Sequence, residues 1–129
     1  MKDLKISKEL LIEVLGSEYK QRLVDWFQIE DDNFLRTYYD CGSYDDKGRP
    51  TGLGLEINIY EFAFKCKEWA FKNKYKIQSQ INESNKGHSH ITKKNDDCWA
   101  KGFFENTEIE AIIKACEFIL TKRNQNGNK

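Results

Sequence analysis

The chain has 129 residues, and 39% of them are hydrophobic, so one domain with its own core is expected. Lysine plus arginine and aspartate plus glutamate each number 21, which leaves no net charge to attract nucleic acid or a membrane surface. The first residues, MKDLKISKEL, lack the apolar core of a signal peptide, and no apolar run approaches the roughly 20 residues of a membrane span. These features favour a cytoplasmic protein with reduced thiols and without membrane association.

Ser7 to Leu15 is predicted to form a short helix. Ser7 is a good N-cap, and Ile6 and Leu11 have the spacing of a hydrophobic staple. Gly16 follows as a residue able to end the helix in the left-handed conformation.

Two segments rich in aromatic and β-branched residues, Leu23–Ile29 and Phe34–Tyr39, flank the turn-forming Asp31-Asp32-Asn33. This pattern predicts a β-hairpin. A helix over the first half remains an alternative, because four residues there also recur at helical spacing: Tyr19, Leu23, Trp26 and Phe27.

Residues 41–56 contain the only proline and four glycines: Pro50, Gly42, Gly48, Gly52 and Gly54. Such a density of chain-breaking residues predicts a surface loop, with a turn at Asp46-Lys47-Gly48.

The best-specified helix spans Asn58 to Asn73. Asn58 is a good N-cap, because its side chain can accept a hydrogen bond from a first-turn amide. Glu61, three residues later, has the spacing of a capping box with it. A wide apolar stripe follows: Ile59, Phe62, Ala63, Cys66, Trp69 and Ala70. Phe64 and Phe71 widen this stripe, so we expect them to lie with Trp69 in the core.

Tyr75–Asn82 alternates between apolar and polar residues, as expected for a half-buried strand. Turn residues at Asn85–Gly87 and Asn95-Asp96 separate it from two further strand-like segments, His88–Lys93 and Cys98–Glu105. A three-stranded antiparallel meander is the simplest arrangement.

Thr107 to Leu120 is the second strong helix, with a capping box of Thr107 and Glu110. Its capping residues match those of the Asn58–Asn73 helix at an offset of 49 residues, with Asn58 corresponding to Thr107 and Glu61 to Glu110. A duplicated strand-strand-helix unit would produce this match, and so would the general rules of helix capping.

The predicted fold class is α+β. Residues 1–121 form a single domain in the order α-β-β-α-β-β-β-α, with a short N-terminal helix and both main helices packed on one antiparallel sheet. Residues 122–129 form a polar, flexible tail.

His88 and His90 place two imidazoles on one face of a strand, which is a metal-ligand spacing. A third ligand is missing, because a tight turn would place Cys98 opposite Lys93 rather than opposite the histidines. We therefore expect both histidines to face solvent, and we predict no metal site and no cofactor.

Two of the four cysteines, Cys66 and Cys116, lie in helix stripes, where a thiol acts as a small apolar side chain. Only Cys41, in the predicted loop, is placed to be reactive. No nucleophile or phosphate-loop signature accompanies it, so no catalytic residue is predicted.

Charge is unevenly distributed along the chain. Acids dominate between Asp25 and Asp46, and we expect a basic protein partner to bind two pairs, Asp31 with Asp32 and Asp45 with Asp46. Lysines dominate the next region and lie among aromatic residues, as in a nucleic-acid surface: Lys65, Lys67, Lys72, Lys74 and Lys76. A solvated rim around the core is the alternative interpretation of these lysines.

Two stretches resemble a known group of proteins. Asn58–Ala70 reads NIYEFAFKCKEWA and Thr107–Leu120 reads TEIEAIIKACEFIL, and both resemble small uncharacterised phage and prophage proteins of the phage α-β-α sandwich group. The resemblance covers about the last 75 residues, with Phe118 where tryptophan is expected. It implies a small accessory protein of a mobile element in a bacterial host cell, and it supplies no catalytic residues.

The leading hypothesis is therefore a non-enzymatic binding protein that occupies a surface of a host or phage macromolecule, for example as an anti-CRISPR-like inhibitor of a host defence system. The alternative is a weak nucleic-acid-binding module that uses Lys65–Lys76. An enzyme that uses Cys41 or the histidines ranks last, and the sequence leaves the oligomeric state open.

Overall fold

The computed structural model describes residues 4–16, 20, 22, 24–93 and 99–127, and only the backbone of residues 99, 100, 126 and 127. The helices are α1 (Lys8–Leu15), α2 (Ile59–Lys72) and α3 (Glu108–Gly127). The strands are β1 (Trp26–Ile29), β2 (Phe34–Tyr44), β3 (Pro50–Asn58), β4 (Tyr75–Ile81), β5 (Gly87–Lys93) and β6 (Trp99–Glu105).

The strands form two antiparallel three-stranded sheets, in the spatial orders β1-β2-β3 and β4-β5-β6. The α+β class and the C-terminal meander are confirmed. Two features differ from the prediction: the described strands form two sheets instead of one, and the first sheet contains the additional strand β3.

The surface loop predicted over residues 41–56 is wrong, because β2 continues to Tyr44 and β3 begins at Pro50. Pro50 is tolerated as the first residue of a strand. Gly52 lies opposite Tyr39, where a Cβ would approach the Tyr39 carbonyl oxygen to 2.7 Å, so this glycine permits close strand pairing beside a register shift. The predicted turn is confirmed, since the Gly48 amide donates to the Asp45 carbonyl at 3.0 Å.

The predicted N-terminal hairpin is confirmed over β1 and β2, whose register pairs Trp26 with Tyr38 and Ile29 with Leu35. Asn33 takes a left-handed φ of 64° in the turn between these strands. The alternative helix is wrong for Trp26 and Phe27, which lie on β1, whereas Lys20 and Arg22 before them are helical. Its other two residues, Tyr19 and Leu23, lie outside the described residues.

The three predicted N-caps are confirmed by hydrogen bonds. Ser7 Oγ accepts from the Leu10 amide at 3.1 Å, Asn58 Oδ1 from the Tyr60 amide at 2.8 Å, and Thr107 Oγ1 from the Glu110 amide at 3.1 Å. Gly16 ends α1 with φ 112° and ψ 172°, which is not the left-handed helical conformation that was expected.

Helix α3 continues seven residues beyond its predicted end at Leu120 and reaches Gly127. The additional turns include Arg123, whose Nη1 donates to Glu13 Oε1 of α1 at 2.6 Å. Trp69 Nε1 donates to the same carboxylate oxygen at 3.2 Å, so Glu13 of α1 is bonded to both α2 and α3.

Helices α2 and α3 pack against each other and on one face of the β4-β5-β6 sheet. At this interface Ser89 Oγ donates to the Ala111 carbonyl at 2.7 Å. The inner face of the first sheet joins the same core through Leu35 and Ile57, together with Leu10 and Leu11 of α1. One continuous hydrophobic core therefore connects both sheets and the helices.

Cys66 and Cys116 meet where α2 crosses α3, and both are buried free thiols. The Cys116 thiol donates to the Cys66 carbonyl at 3.4 Å. Hydrogen bonding to Cys116 and burial raise the pKa of the Cys66 thiol well above its usual value. Their predicted role as packing residues is confirmed.

The two halves of the chain follow the same order of elements, and three of the four pairs of elements have the same offset in sequence. β1 and β4 begin at residues 26 and 75, β3 and β6 at 50 and 99, and α2 and α3 at 59 and 108, so each of these three pairs is offset by 49 residues. β2 and β5 begin at residues 34 and 87 and depart from this offset. This regularity favours a duplicated unit, which contains three strands and a helix rather than the two strands predicted.

Candidate functional site

Helix α2 carries a second stripe of large side chains outside its buried face. Tyr60, Phe64 and Phe71 are 58%, 64% and 48% exposed. Because successive helical residues are about 100° apart, these three and Lys67 lie within an arc of roughly 60°. The expectation that Phe64 and Phe71 lie in the core is therefore wrong, and only Trp69 is buried. The buried arc is already filled by six residues that face the sheets and α3, and Phe64 and Phe71 lie beyond its edge.

Tyr60 and Phe64 of this stripe line a groove with a volume of about 500 Å³. The floor is apolar and buried, and consists of Ala63, Ile109 and Ile112. Tyr60 and Phe64 of α2 stand on one side, and Ile81 at the end of β4, which is 60% exposed, also lines it. We call this site the α2 groove: Tyr60, Ala63, Phe64, Ile81, Ile109 and Ile112.

Two polar residues on the rim of the α2 groove, Thr107 and Glu108, have hydrogen-bond partners within the chain. Thr107 Oγ1 accepts from the Glu110 amide, as in the predicted capping box, but it also donates to Glu110 Oε1 at 2.8 Å, so the carboxylate binds the Thr107 hydroxyl. Glu108 accepts from Ser79 Oγ at 2.5 Å. Since the start of α3 is capped and bears two carboxylates, the groove offers apolar contact area rather than a site for an anion.

Gly87 sets the distance between β5 and the start of α3, beside this groove. A Cβ at residue 87 would overlap the backbone of Thr107 and Glu108. The strand can approach α3 this closely only because residue 87 has no side chain.

The sequence interpretation missed this site because its residues come from three distant segments. Tyr60 and Ile81 were not singled out at all. The available signal was that Tyr60, Phe64 and Phe71 recur at helical spacing outside the arc needed for the core.

The four predicted partner-binding aspartates lie in the turns before and after β2. Asp32 and Asp45 help to build these turns. Arg36 Nη2 donates to Asp32 at 2.9 Å, and Arg49 Nε donates to Asp45 at 2.9 Å. Hydrogen bonds from Arg36 lower the pKa of the Asp32 carboxyl, and hydrogen bonds from the backbone and side chain of Arg49 lower the pKa of Asp45.

Asp31 and Asp46 are exposed in the same turns. Asp31 lines a depression along β1 together with Lys47 and Arg49, so this surface carries both signs of charge. A role for the four aspartates in binding a basic partner stays a prediction.

The five lysines of the alternative hypothesis do not share one surface. Lys65 and Lys72 lie on the exposed face of α2, where Glu61 and Glu68 precede them at the i, i+4 spacing that favours ion pairs. Lys67 lines the α2 groove. The remaining two lie in the turn after α2 and on β4: Lys74 and Lys76. The positive charge is therefore dispersed.

His88 and His90 lie side by side on β5, as predicted, but both are half-buried. The His88 ring stacks on Phe104 with ring centres 4.4 Å apart, and His90 Nε2 is hydrogen-bonded to Gln78 Oε1 at 2.6 Å. Within the part of the chain that the structure describes, no three His, Cys, Asp or Glu residues are grouped to hold a metal. Cys98, the third ligand considered, lies outside that part. Cys41 is exposed on β2 rather than in a loop.

No helix among the described residues is long and apolar enough to cross a membrane. No protein-family model, curated protein or solved structure matches the chain. The resemblance to the phage α-β-α sandwich group stays a prediction.

Proposed function

We propose that the protein is a non-enzymatic binding protein whose α2 groove accepts an apolar side chain of a protein partner. The observation that carries this proposal is the placement of Tyr60, Phe64 and Ile81, which are more than half exposed and line one groove with a buried apolar floor. Contiguous exposed apolar surface of this kind contributes little to the stability of the free chain and is typical of interaction sites.

The shape of the groove narrows the chemistry of the partner. A volume of about 500 Å³ falls within the range of ligand-binding clefts and would hold a large aliphatic or aromatic side chain. Lys67 and Glu108 lie on the rim, so a neutral anchor with polar neighbours fits better than a strongly charged segment. An amphipathic helix that places successive apolar residues against Tyr60 and Phe64 is the simplest occupant.

The resemblance noted in the sequence supports a biological setting for this activity. A small accessory protein of a phage or prophage would act in the cytoplasm of its bacterial host. By binding a surface of its partner through the α2 groove, it would inhibit that protein. A component of a host defence system is the kind of target we propose, in the manner of anti-CRISPR proteins.

The test is a measurement of partner affinity with matched variants. The tagged chain is used to isolate bound proteins from a nuclease-treated host lysate, and the dissociation constant of the purified partner is then measured by calorimetry. We expect Phe64→Ala to weaken binding about 30-fold, which corresponds to a hot-spot loss of about 2 kcal/mol. Leu53→Ala is the control, because Leu53 is 52% exposed on β3, away from the groove.

Three outcomes would overturn the proposal. The first is an unchanged dissociation constant in both Phe64→Ala and Tyr60→Ala. The second is a partner that is isolated from an untreated lysate but not from the nuclease-treated one. The third is a dimer of the isolated protein that Phe64→Ala dissociates in sedimentation experiments, since a second copy of the chain would then occupy the groove.

A further inference from the structure

The β4-β5-β6 sheet has a second face, opposite the one on which α2 and α3 pack. Alternate residues Ile77, Ser89 and Ile91 are buried against the helices. The residues between them point to the other side, where Gln78 pairs with His90 and His88 pairs with Phe104 across the strands. We call this surface the open face: Lys76, Gln78, Gln80, His88, His90, Thr92, Gly102 and Phe104.

Three rings lie next to one another on the open face. Phe104 is 68% exposed, more than any other large hydrophobic side chain in the described part of the chain. Its ring is nearly parallel to that of His88, with an interplanar angle of 12°, and the His90 ring centre lies 5.8 Å from that of His88. His88 Nε2 is buried and has no hydrogen-bond partner among the described residues.

The groups around the rings are neutral or positively charged. None of the eight residues of the open face carries a carboxylate, although the chain contains 21 acidic residues. The amides of Gln78 and Gln80 are exposed and offer both donors and acceptors. A depression of about 370 Å³ beside β4 is lined by Gln78 and His90 and also by Lys67, which supplies a second ammonium group besides Lys76.

From this arrangement we infer that the open face binds single-stranded RNA, an activity separate from the protein-binding groove. Unpaired bases stack on aromatic and imidazole rings, whereas a duplex hides the faces of its bases. The glutamine amides can pair with base edges and with the ribose 2′-hydroxyl, which favours RNA over DNA. Lys67 and Lys76 are placed to contact phosphates, and the absence of carboxylates on the described face avoids repulsion of the backbone.

The experiment measures the fluorescence anisotropy of a labelled short oligouridylate with the full chain. We expect Phe104→Ala to weaken binding at least about fivefold, as the loss of one base-stacking ring does. Leu53→Ala, which removes an exposed apolar side chain from the other sheet, should leave the dissociation constant unchanged. Because Phe104 is largely exposed, its truncation should preserve the fold, and a thermal melt of each variant checks this.

Salt dependence separates the open face from the lysines of α2. Two phosphate contacts, through Lys67 and Lys76, predict a slope of about −1.4 in a plot of log K against log salt concentration, whereas contacts through all five lysines from Lys65 to Lys76 would give about −3.5. The double variant Lys65→Gln, Lys72→Gln should bind oligouridylate as the unmodified chain does.

The inference is overturned by no binding of oligouridylate, by equal binding in Phe104→Ala, or by loss of binding in the Lys65 and Lys72 variant. Equal affinity for oligodeoxythymidylate would overturn the assignment to RNA. Since Phe64→Ala tests the groove and Phe104→Ala tests the open face, either proposal can fail while the other stands.

Discussion

The carboxylate of Glu117 on α3 anchors the start of α1, and its removal is a direct test of how α1 is held. Glu117 Oε2 accepts from the Ser7 amide at 2.7 Å, and Oε1 accepts from Ser7 Oγ at 2.6 Å. Ser7 Oγ in turn accepts from the Leu10 amide as the N-cap of α1. Glu117→Ala therefore removes two charge-assisted hydrogen bonds and a negative charge next to a helix N-terminus.

The expected loss follows from these contacts. Hydrogen bonds to charged groups contribute about 1.5–3 kcal/mol each when buried, but Glu117 is only partly buried, so we expect about 2 kcal/mol for the pair. Leu10 and Leu11 are fully buried and continue to hold α1 in place. At about 4 °C per kcal/mol for a domain of this size, the melting temperature should fall by about 8 °C.

Urea unfolding gives the change in the free energy of unfolding, and hydrogen exchange locates it. We expect the amides of α1 to lose protection first in Glu117→Ala, while those of β4 and β5 keep theirs. Glu117→Gln should lose about half as much, because the amide retains one acceptor for Ser7. Glu68→Ala, an exposed mid-helix substitution, is the control. A loss below about 0.5 kcal/mol would show that the carboxylate contributes no more than a surface ion pair and that the leucines alone hold α1.

Two further predictions concern single polar groups. The Thr37 hydroxyl is buried and has no hydrogen-bond partner among the described residues, so Thr37→Val should raise the free energy of unfolding by about 1 kcal/mol in urea titrations, and a decrease would refute this reasoning. The hydrogen bond from Arg123 lowers the pKa of Glu13, so the contribution of this ion pair is present above the usual pKa of a glutamate and is lost as the pH falls through the lower pKa of the folded state. Glu13→Gln should therefore destabilise the protein at neutral pH and progressively less in acid, whereas a difference that stays constant with pH in urea unfolding would contradict this assignment.

The helices could be predicted because their signals are local. The side chains of Ser7, Asn58 and Thr107 cap the three helices as predicted, and the predicted apolar stripes of α2 and α3 are buried in the core. The end of α3 could not be predicted in the same way, since its last turns include Arg123, which bonds to Glu13 at the other end of the chain. Long-range contact overrides the polar composition of that segment.

Strand β3 was missed for a different physical reason. Glycine and proline usually interrupt strands, but here Pro50 occupies the first position of β3 and Gly52 lies where Tyr39 leaves no room for a side chain. Only the pairing of β3 with β2 shows that these residues suit a strand, and the sequence alone does not reveal this pairing.

The candidate site was the least predictable feature. Counting charges along the chain singled out acidic and basic segments, yet Asp32 and Asp45 pair with nearby arginines and the lysines are dispersed. The α2 groove combines residues 60–64, 81 and 109–112, which no local window of sequence brings together.

Helix α2 belongs to both halves of the repeated pattern, because its buried residues contact β2 and β3 of the first sheet as well as β4 of the second. A break in the backbone after Lys72 would leave the C-terminal fragment without one of the two helices that cover its sheet. We therefore expect the C-terminal half not to fold by itself, and the protein should unfold in one cooperative step although its architecture repeats.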